Sequence, residues 1–461
     1  MSKRRTNSGT GEADPNGQAN KRTLCIKALA RVEGEGSFRL IVRDGQVEDV
    51  ELNIFEPPRF YEAFLRGRDF HEVPDIVARI CGICPVAYQM SACYALEQAM
   101  GVTDQIDPAI HKLRDLFYCG EWVESHGLHM FILHLPDFLG YESALSMADD
   151  HRDLVQQSLR IKKAGNAVIE MLGGRSVHPV GACVGGFHAA PRQSQVDELL
   201  PELKSCRDDM CEMVLKLADM VEFPEWERDY EFVSLVAADE YPMNRGRIMS
   251  NKGLDVDQTE FGDAIEERQV SHSNALHAFI KGRGPYLVGP LARLNLNADK
   301  LHPRAAELVP RVCKSVGRSL PWNNNALSLL ARGLEVVHAF ALAVDLLEQY
   351  QPPARSSVPI TPRRGRGRHG TEAPRGLCWH EYQTESDGTV IAARIVPPTS
   401  QNQCSVEEDL RELAPQLVNL SDEEATIRCE QVIRHYDPCI SCSVHFLRLT
   451  RECRPGSGVR E

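Results

Sequence analysis

Two Cys-x-x-Cys pairs near opposite ends of the chain constrain its fold more than any other feature. The first pair is Cys81 and Cys84 in RICGICP, and the second is Cys439 and Cys442 in DPCISCSVH. A zinc ribbon usually places its second pair roughly 15 to 20 residues after its first. Most of the chain separates these two pairs, so a local zinc ribbon is disfavoured.

A single metal site that joins both pairs is energetically reasonable. Closing so long a loop costs about 5 kcal/mol by the logarithmic loop-closure rule, whereas binding of thiolates to a metal supplies on the order of 10–16 kcal/mol. Four soft thiolates favour zinc, nickel, copper(I) or iron-sulfur chemistry, and softness alone does not choose among them. The spacing therefore predicts one thiolate metal site between the two ends of the chain.

The composition is that of a globular protein and excludes some classes of function. The 461 residues fit two or three domains of about 150 residues each, or one large helical domain. A formal net charge of -13 argues against a nucleic-acid partner, because phosphate binding draws on excess Lys and Arg. The fifteen cysteines lack the dense spacing of a secreted scaffold, which favours a reducing compartment.

Neither membrane insertion nor export is expected. No apolar run approaches the roughly 20 residues that cross a bilayer. The first 22 residues are polar, and Arg4-Arg5 is not followed by the apolar segment that an export signal requires. We interpret residues 1–22 as a disordered tail and expect a cytoplasmic protein.

Hydrophobic periodicity predicts a mainly α protein with small β-hairpins or sheets, an α+β fold. Alternation within residues 37–54 and 376–396 predicts two hairpins, which turn at Asp44-Gly45 and Asp387-Gly388. Helical periodicity is found near residues 85–100, 108–134, 150–172, 194–221, 323–350 and 407–435.

Two local patterns add detail. The helix after Cys84 should begin at Pro85 and end near Gly101. That places the first cysteine pair at a helix N-terminus, where the partial positive charge favours thiolates. The stretch PRRGRGRHG at residues 362–370 is of low complexity, and we interpret it as a solvated, flexible loop.

Several separated segments match one enzyme family in the family's order. They are RVEG at residues 31–34, RFYEAFLRGRD, RICGICP, SHGLHMFILHLPDF, GGRSVHPVGACVGG, EAPRG at residues 372–376, PPTSQN at residues 397–402 and DPCISCSVH. Any one could arise by chance, but the ordered set resembles the large, catalytic subunit of nickel-iron hydrogenases. The segments RICGICPVAYQMSA and DPCISCSVHF are most similar to those of the cytoplasmic NAD(P)-linked or sulfhydrogenase-like branch.

The resemblance implies a metal site between the N- and C-terminal segments of a helical-bundle core. Cys81 and Cys439 would be terminal nickel ligands, whereas Cys84 and Cys442 would bridge nickel to an iron that carries CO and cyanide. The activity implied is reversible heterolytic cleavage of dihydrogen to protons and electrons.

Further ligands follow from the same resemblance. Arg375 and either Thr399 or Ser400 would donate hydrogen bonds to cyanide nitrogen. A magnesium ion or a similar hard cation would be held by oxygen-rich groups. Its ligands would be Glu62, the backbone carbonyl of Ile395, and His445.

Proton transfer in this family implies two bases in series. The Cys439 thiolate would accept the first proton, and Glu33 would relay it outward. Arg375 could be an outer base, but a guanidinium rarely gives up its proton, so electrostatic positioning is favoured.

Each assignment has a structural alternative. Taken alone, Glu33 would be a solvated residue before a strand and Arg375 a surface ion-pair partner. His178 is interpreted as a structural histidine whose side chain is satisfied by backbone. Asp137 and Asp437 could cap helices, orient neighbours or act from behind the metal ligands.

The chain departs from the family pattern at two positions. Tyr88 replaces a common histidine four residues after Cys84, although its hydroxyl can still donate a hydrogen bond to a bridging sulfur. Glu35 replaces a histidine that often follows the Arg-x-Glu-Gly element. The first change would alter redox tuning or gas sensitivity, and the second leaves Glu33 in place.

Electrons and maturation require partners. The remaining cysteines do not form the runs expected of iron-sulfur clusters. The resemblance therefore implies an iron-sulfur small subunit, with diaphorase-type NAD(P) subunits beyond it. Residues 23–445 would form one domain. Residues 446–461 would be removed by a maturation endopeptidase between His445 and Phe446, after nickel-insertion factors have acted.

Two other readings stay open. One is a hydrogenase-like subunit of a respiratory complex that has lost its metal, although such relatives usually lack the four cysteines. The other is a non-catalytic scaffold stabilised by zinc. Metal analysis and infrared bands from CO and cyanide separate these readings.

Overall fold

Helices are the most abundant regular elements of the computed structural model, which describes residues 21–43, 46–417 and 419–444. The α-helices are α1 (Tyr61–Leu65), α2 (Val73–Val77), α3 (Pro85–Met100), α4 (Pro108–Gly127), α5 (Leu135–Phe138), α6 (Ala144–Met147), α7 (Arg152–Gly173), α8 (Gln193–Met220), α9 (Phe261–Ala264), α10 (Pro290–Asn297), α11 (Pro303–Ala306), α12 (Val309–Val316), α13 (Ser328–Glu348), α14 (Pro398–Leu417), α15 (Asp422–His435) and α16 (Ile440–Ser443). Short 3-10 helices span Thr103–Gln105, Ala298–Lys300 and Asn325–Leu327, and a π-helix spans Leu128–His134.

The strands form small antiparallel sheets at the edges of the helical core. They are β1 (Lys21–Ile26), β2 (Gly36–Arg43), β3 (Gln46–Ile54), β4 (Ala182–Cys183), β5 (Gly186–Phe187), β6 (Val233–Val236), β7 (Arg247–Ser250), β8 (Asp255–Val256), β9 (Ile265–Gln269), β10 (Leu276–Ile280), β11 (Gly365–Ala373), β12 (Gly376–Thr384) and β13 (Val390–Val396). The two larger sheets follow the orders β1-β2-β3 and β11-β12-β13. The expected α+β fold class is confirmed.

Both predicted hairpins are present. Strands β2 and β3 pair from Gly36–Ile54 to Arg43–Gln46, while the turn residues Asp44 and Gly45 lie outside the described residues. Strands β12 and β13 form the second hairpin. Strand β1 begins at Lys21, so it includes the last two residues of the expected tail, and residues 1–20 are not among those described.

The predicted helices are also found, with differences at their ends. Helix α3 begins at Pro85 and is capped by Gly101 in the left-handed conformation. The segment predicted over residues 407–435 is two helices, because Ser421 and Glu424 form a capping box that starts α15. The segment predicted over 108–134 is α4 continued by the π-helix.

The interpretation of residues 362–370 as a flexible loop is wrong. Residues from Gly365 onward belong to β11, which pairs with β12. Arg366 and Arg368 of this strand both donate hydrogen bonds to Glu381 on β12. The arginines that suggested a solvated loop therefore form ion pairs across the sheet.

Glycine lets β11 approach α3 closely. A Cβ atom built on Gly367 would lie 1.7 Å from the carbonyl oxygen of Ala95, and one built on Gly365 would lie 2.0 Å from that of Ala99. Any larger side chain would force the strand away from the helix. The sheet is thereby held against the helix that carries Cys84 at its start.

We expect Gly367→Ala to destabilise the protein by roughly 1–3 kcal/mol, because the added methyl group overlaps helix backbone. The thermal unfolding midpoint measures the effect. Gly127→Ala is the matched control, since its Cβ would meet the nearest atom at 3.4 Å and alanine favours helices. Equal midpoints for the two variants would contradict the close packing of β11 on α3.

A four-helix bundle forms the core, as expected. Helix α13 packs against α4 and α8, and α7 packs against the same two helices. Within the described ranges, one helical segment, Asn325–Glu348, is long and apolar enough to span a membrane, but 94% of its most apolar window is buried. Its apolar character is therefore explained by its place at the centre of the bundle.

Candidate metal centre and active site

The two cysteine pairs meet where the ends of the chain come together. Cys84 is the N-cap residue of α3, and Cys439 is the N-cap residue of α16. The N-terminal segment joins them through a parallel bridge between Glu33 and Cys439. The backbone N–H of Ile440 donates to the carbonyl of Glu33 at 3.0 Å.

The four sulfur atoms form one buried cluster. The Sγ atoms of Cys81 and Cys439 are 3.4 Å apart, those of Cys84 and Cys442 are 3.5 Å apart, and those of Cys439 and Cys442 are 2.9 Å apart. All four ligand atoms lie within 4.8 Å of one another. The predicted convergence of the two distant pairs is confirmed.

The environment of the cluster favours at least one thiolate. Burial raises the pKa of the Cys81 thiol, but hydrogen bonds from Cys439, Cys442 and Cys84 more than offset it and hold that pKa well below its usual value. Burial raises the pKa of Cys439. A metal ion binds thiolates rather than thiols, so one sulfur is already suited to a metal.

Glu33 lies directly beside this cluster. Its Oε2 accepts a hydrogen bond from the Cys439 thiol at 3.0 Å and another from the backbone N–H of Ser441 at 3.1 Å. The side chain is therefore held by the segment that carries the second cysteine pair. The alternative of a solvated residue before a strand does not describe this position.

Arg375 is fixed by Asp437. Its Nε donates to the Asp437 carbonyl at 2.7 Å, and its Nη2 donates to the carboxylate at 3.1 Å. Burial lowers the pKa of Arg375, but the negative charges of Asp437 and the cysteine sulfurs raise it by more than burial lowers it. The net pKa is therefore well above its ordinary value. Its Nη1 is buried without a hydrogen-bond partner within the described chain. The reading of Arg375 as a surface ion-pair partner is wrong.

The start of α14 contributes two hydroxyl groups. Thr399 accepts a hydrogen bond from the backbone N–H of Cys439 at 3.2 Å. The Ser400 hydroxyl is buried, and no residue described in the structure serves as its partner. Ser400 Oγ and Arg375 Nη1 are thus buried donors that can each donate a hydrogen bond to an acceptor group.

The two departures from the family pattern have different surroundings. The buried Tyr88 hydroxyl hydrogen-bonds Cys442, and burial, followed by nearby cysteine charge, raises the pKa of Tyr88 well above its usual value. Glu35 is exposed. Tyr88 therefore contacts a predicted bridging sulfur, whereas the Glu35 side chain projects toward solvent.

Glu62 lies beside Ile395, the residue whose backbone carbonyl is the second predicted ligand. The backbone N–H of Ile395 donates to Glu62 Oε1 at 2.7 Å. Burial is the main cause that raises the pKa of Glu62 to about 8. His445, the third member of the predicted set, lies outside the described residues.

The remaining predicted residues orient neighbours. Asp137 accepts hydrogen bonds from Arg31 and Arg434. His178 Nδ1 lies 2.7 Å from the carbonyl oxygen of Ala78, consistent with its interpretation as a structural histidine. These contacts hold the segments around the cysteines, whereas the residues described in the preceding paragraphs contact the cysteine cluster itself.

Sequence reasoning missed two residues that join the cysteine segments. Arg59 Nη2 donates to the carbonyl of Ile80 at 2.7 Å and also to the carbonyl of Ser441. Glu121 accepts from the backbone N–H groups of Val86, at 2.6 Å, and Ala87, at 3.1 Å, in the first turn of α3. Glu121 stands outside the segments that match the family, and Arg59 begins the segment RFYEAFLRGRD, but both act through contacts between distant segments that the sequence does not reveal.

Comparison with known proteins assigns the family. The family model described as nickel-dependent hydrogenase matches residues 59–168 and 280–445. Sulfhydrogenase 1 subunit alpha of Pyrococcus furiosus is 35% identical over 434 residues, which cover 92% of this chain and 98% of the relative. The chain belongs to the nickel-dependent hydrogenase family.

Further comparisons place this hydrogenase within the family. Sulfhydrogenase 2 subunit alpha of Pyrococcus furiosus is 33% identical, covering 92% of this chain and 99% of the relative. A crystal structure of an NAD+-reducing [NiFe]-hydrogenase in the H2-reduced state matches with a TM-score of 0.85 and 29% identity, over 92% of this chain and 99% of that one. The protein is a hydrogenase catalytic subunit of the NAD-linked, sulfhydrogenase-like branch, an oxidoreductase acting on hydrogen.

Proposed function

We propose that this hydrogenase subunit cleaves dihydrogen heterolytically at a nickel-iron centre held by Cys81, Cys84, Cys439 and Cys442. The observation that carries the proposal is the position of Glu33, whose carboxylate lies 3.0 Å from the Cys439 sulfur. A proton accepted by that sulfur has a carboxylate within hydrogen-bond distance, the geometry that a base relay requires. A zinc ion that only stabilised the fold would not require a carboxylate such as Glu33 beside one of its sulfur ligands.

The donors around the cluster support an iron that carries CO and cyanide beside the nickel. When bound, the nickel-iron group polarises dihydrogen and takes up its electrons. Arg375 Nη1 and Ser400 Oγ are buried donors without partners among the described residues, and cyanide nitrogen is an acceptor. Arg375 acts by electrostatic positioning rather than as an outer base, because its surroundings keep it protonated. Thr399 positions the Cys439 backbone.

A magnesium ion, or a similar hard cation, is proposed at Glu62, the Ile395 carbonyl and His445. Burial that raises the pKa of Glu62 to about 8 disfavours an isolated carboxylate there. A hard cation would stabilise the charged form. Glu62 is therefore better suited to a cation site than to standing alone.

Partners are proposed from the resemblance and from the relatives. Electrons would pass to an iron-sulfur small subunit and on to NAD(P), since the relatives include an alpha subunit of a sulfhydrogenase and a chain of an NAD+-reducing enzyme. We place the complex in the cytoplasm. Nickel-insertion factors and an endopeptidase would act on the precursor, leaving a single domain of residues 23–445. Mass spectrometry that found residue 461 on the active enzyme would contradict the cleavage after His445.

Metal analysis of the purified enzyme tests the cofactor. We expect nickel and iron together with infrared bands from CO and cyanide, and we expect Cys442→Ser to lose both the nickel and the bands. Cys313→Ser is the control, because Cys313 is a partly buried cysteine outside the cluster. Zinc alone in the wild type would support the scaffold, and absence of all metal would support the respiratory-complex relative.

A further inference from the structure

A second group of metal-binding side chains lies away from the four cysteines, where α14 contacts β3 and β10. His272 precedes β10 and His277 lies within it. Cys404 and Glu407 stand three residues apart on α14, so they share one face of the helix. Two segments that are distant in sequence thus bring together two imidazoles and a carboxylate, with a thiol beside them.

The ligand atoms of His272, His277 and Glu407 all lie within 4.8 Å of one another, which suits one small cation, and Cys404 lies beside His277. His277 Nδ1 lies 3.4 Å from Cys404 Sγ and 3.9 Å from Glu407 Oε2, and His272 Nε2 lies 2.8 Å from Glu407 Oε1. A tetrahedral zinc ion with bonds of 2.0–2.3 Å separates its ligand atoms by about 3.3–3.8 Å. The two imidazole rings, 5.6 Å apart at 80°, can each direct one nitrogen to a common point.

An ordinary ion pair explains only part of this arrangement. It accounts for His272 and Glu407, but not for the approach of His277, which is nearly inaccessible to solvent, to the same carboxylate. The nearby guanidinium of Arg268 is paired with Glu266, so it does not neutralise the group. A cation accounts for both imidazoles and the carboxylate at once.

We propose that His272, His277 and Glu407 bind a zinc ion that stabilises the fold. Two imidazoles and one carboxylate form a donor set that zinc accepts. A water molecule would complete tetrahedral coordination. The ion is thus distinct from the nickel-iron centre in both ligands and purpose.

The zinc would brace the helix that supports the active site. Glu407 Oε1 also accepts a hydrogen bond from the backbone N–H of Leu52 at 3.0 Å, which ties α14 to β3. Thr399 and Ser400 stand at the beginning of the same helix. A metal that links β3, β10 and α14 would therefore hold these two hydroxyl groups in place.

The test uses the intact enzyme with its partner subunits, incubated with Zn²⁺ alone and then freed of excess metal by gel filtration. We expect one zinc per chain in addition to the nickel and iron. Zinc X-ray absorption should show nitrogen and oxygen neighbours and no sulfur. Zinc in the four-cysteine cluster would instead show four sulfur neighbours, so the two locations are distinguishable.

Variants decide whether these side chains hold the ion. His277→Gln and, independently, His272→Gln should lose the zinc and any rise in thermal midpoint that zinc produces, while nickel stays. His188→Gln, at an exposed histidine elsewhere, should keep the zinc. The proposal is overturned if the wild type takes up no zinc, if the spectrum shows four sulfurs, or if either variant that folds binds zinc as the wild type does.

Discussion

Replacing Glu33 with Gln should lower the rate of dihydrogen oxidation by about 10²–10⁴-fold, the usual contribution of a positioned acid or base. An amide has nearly the shape of the carboxylate and can still accept from the Ser441 N–H, 3.1 Å away in the wild type. It cannot take up and release the proton of Cys439. Nickel content should therefore stay unchanged while turnover falls.

Two assays and one control make this result specific. Dihydrogen oxidation with an artificial dye bypasses the electron-accepting partners, and exchange between deuterium gas and water protons follows the proton path itself. Glu35→Gln changes an exposed carboxyl two residues away and should leave both rates at the wild-type level. Wild-type rates in both assays for Glu33→Gln would show that the relay runs elsewhere.

The sequence was most informative where the chemistry is local. Pro85 and Gly101 predicted the ends of α3 because a fixed φ and a left-handed cap are properties of single residues. The cysteine pairs predicted a shared site because thiolate binding outweighs the entropy of a long loop. Both conclusions needed only residue type and spacing.

Other features depend on partners that spacing does not reveal. Arg59 joins the two cysteine segments by donating to the carbonyls of Ile80 and Ser441, and no pattern predicts contacts of backbone carbonyls across a fold. The stretch PRRGRGRHG predicts a flexible loop because it is of low complexity. In the structure, Arg366 and Arg368 of this stretch pair with Glu381 on the next strand, a contact that composition alone does not predict.

The buried ion-pair network behind Arg375 should be the most sensitive part of the fold. Glu335, on α13, accepts 2.7 Å hydrogen bonds from Arg293 Nε, Arg293 Nη2 and the Tyr241 hydroxyl, and both ions are fully buried. Burial raises the pKa of Glu335, but Arg293 and His126 lower it by more than burial raises it, so the net pKa is about 2. The carboxylate is therefore charged at neutral pH, and its stabilisation is lost only as pH falls from about 4.5 towards 2.

Arg293 links this network to the active site. Besides Glu335, its guanidinium donates to the backbone carbonyls of Ala373 and Pro374, at 2.8 and 3.0 Å. These residues immediately precede Arg375 in the chain. Arg293 also pairs with Glu372, but without Glu335 its guanidinium would hold less firmly the backbone that positions the Arg375 side chain beside the cysteines.

We expect Glu335→Ala to destabilise the protein by about 3–5 kcal/mol, because it removes the carboxylate that accepts two hydrogen bonds from the buried guanidinium of Arg293 and leaves Glu372 as the remaining ionic partner. The thermal midpoint of the intact enzyme measures the loss, and hydrogen oxidation should fall with it at temperatures where the protein is still folded. Asp255→Ala removes an exposed partner of Arg247 and should leave the midpoint near that of the wild type, since exposed ion pairs contribute little. Equal thermal midpoints for Glu335→Ala and Asp255→Ala would show that the buried network does not hold the Arg375 segment in place.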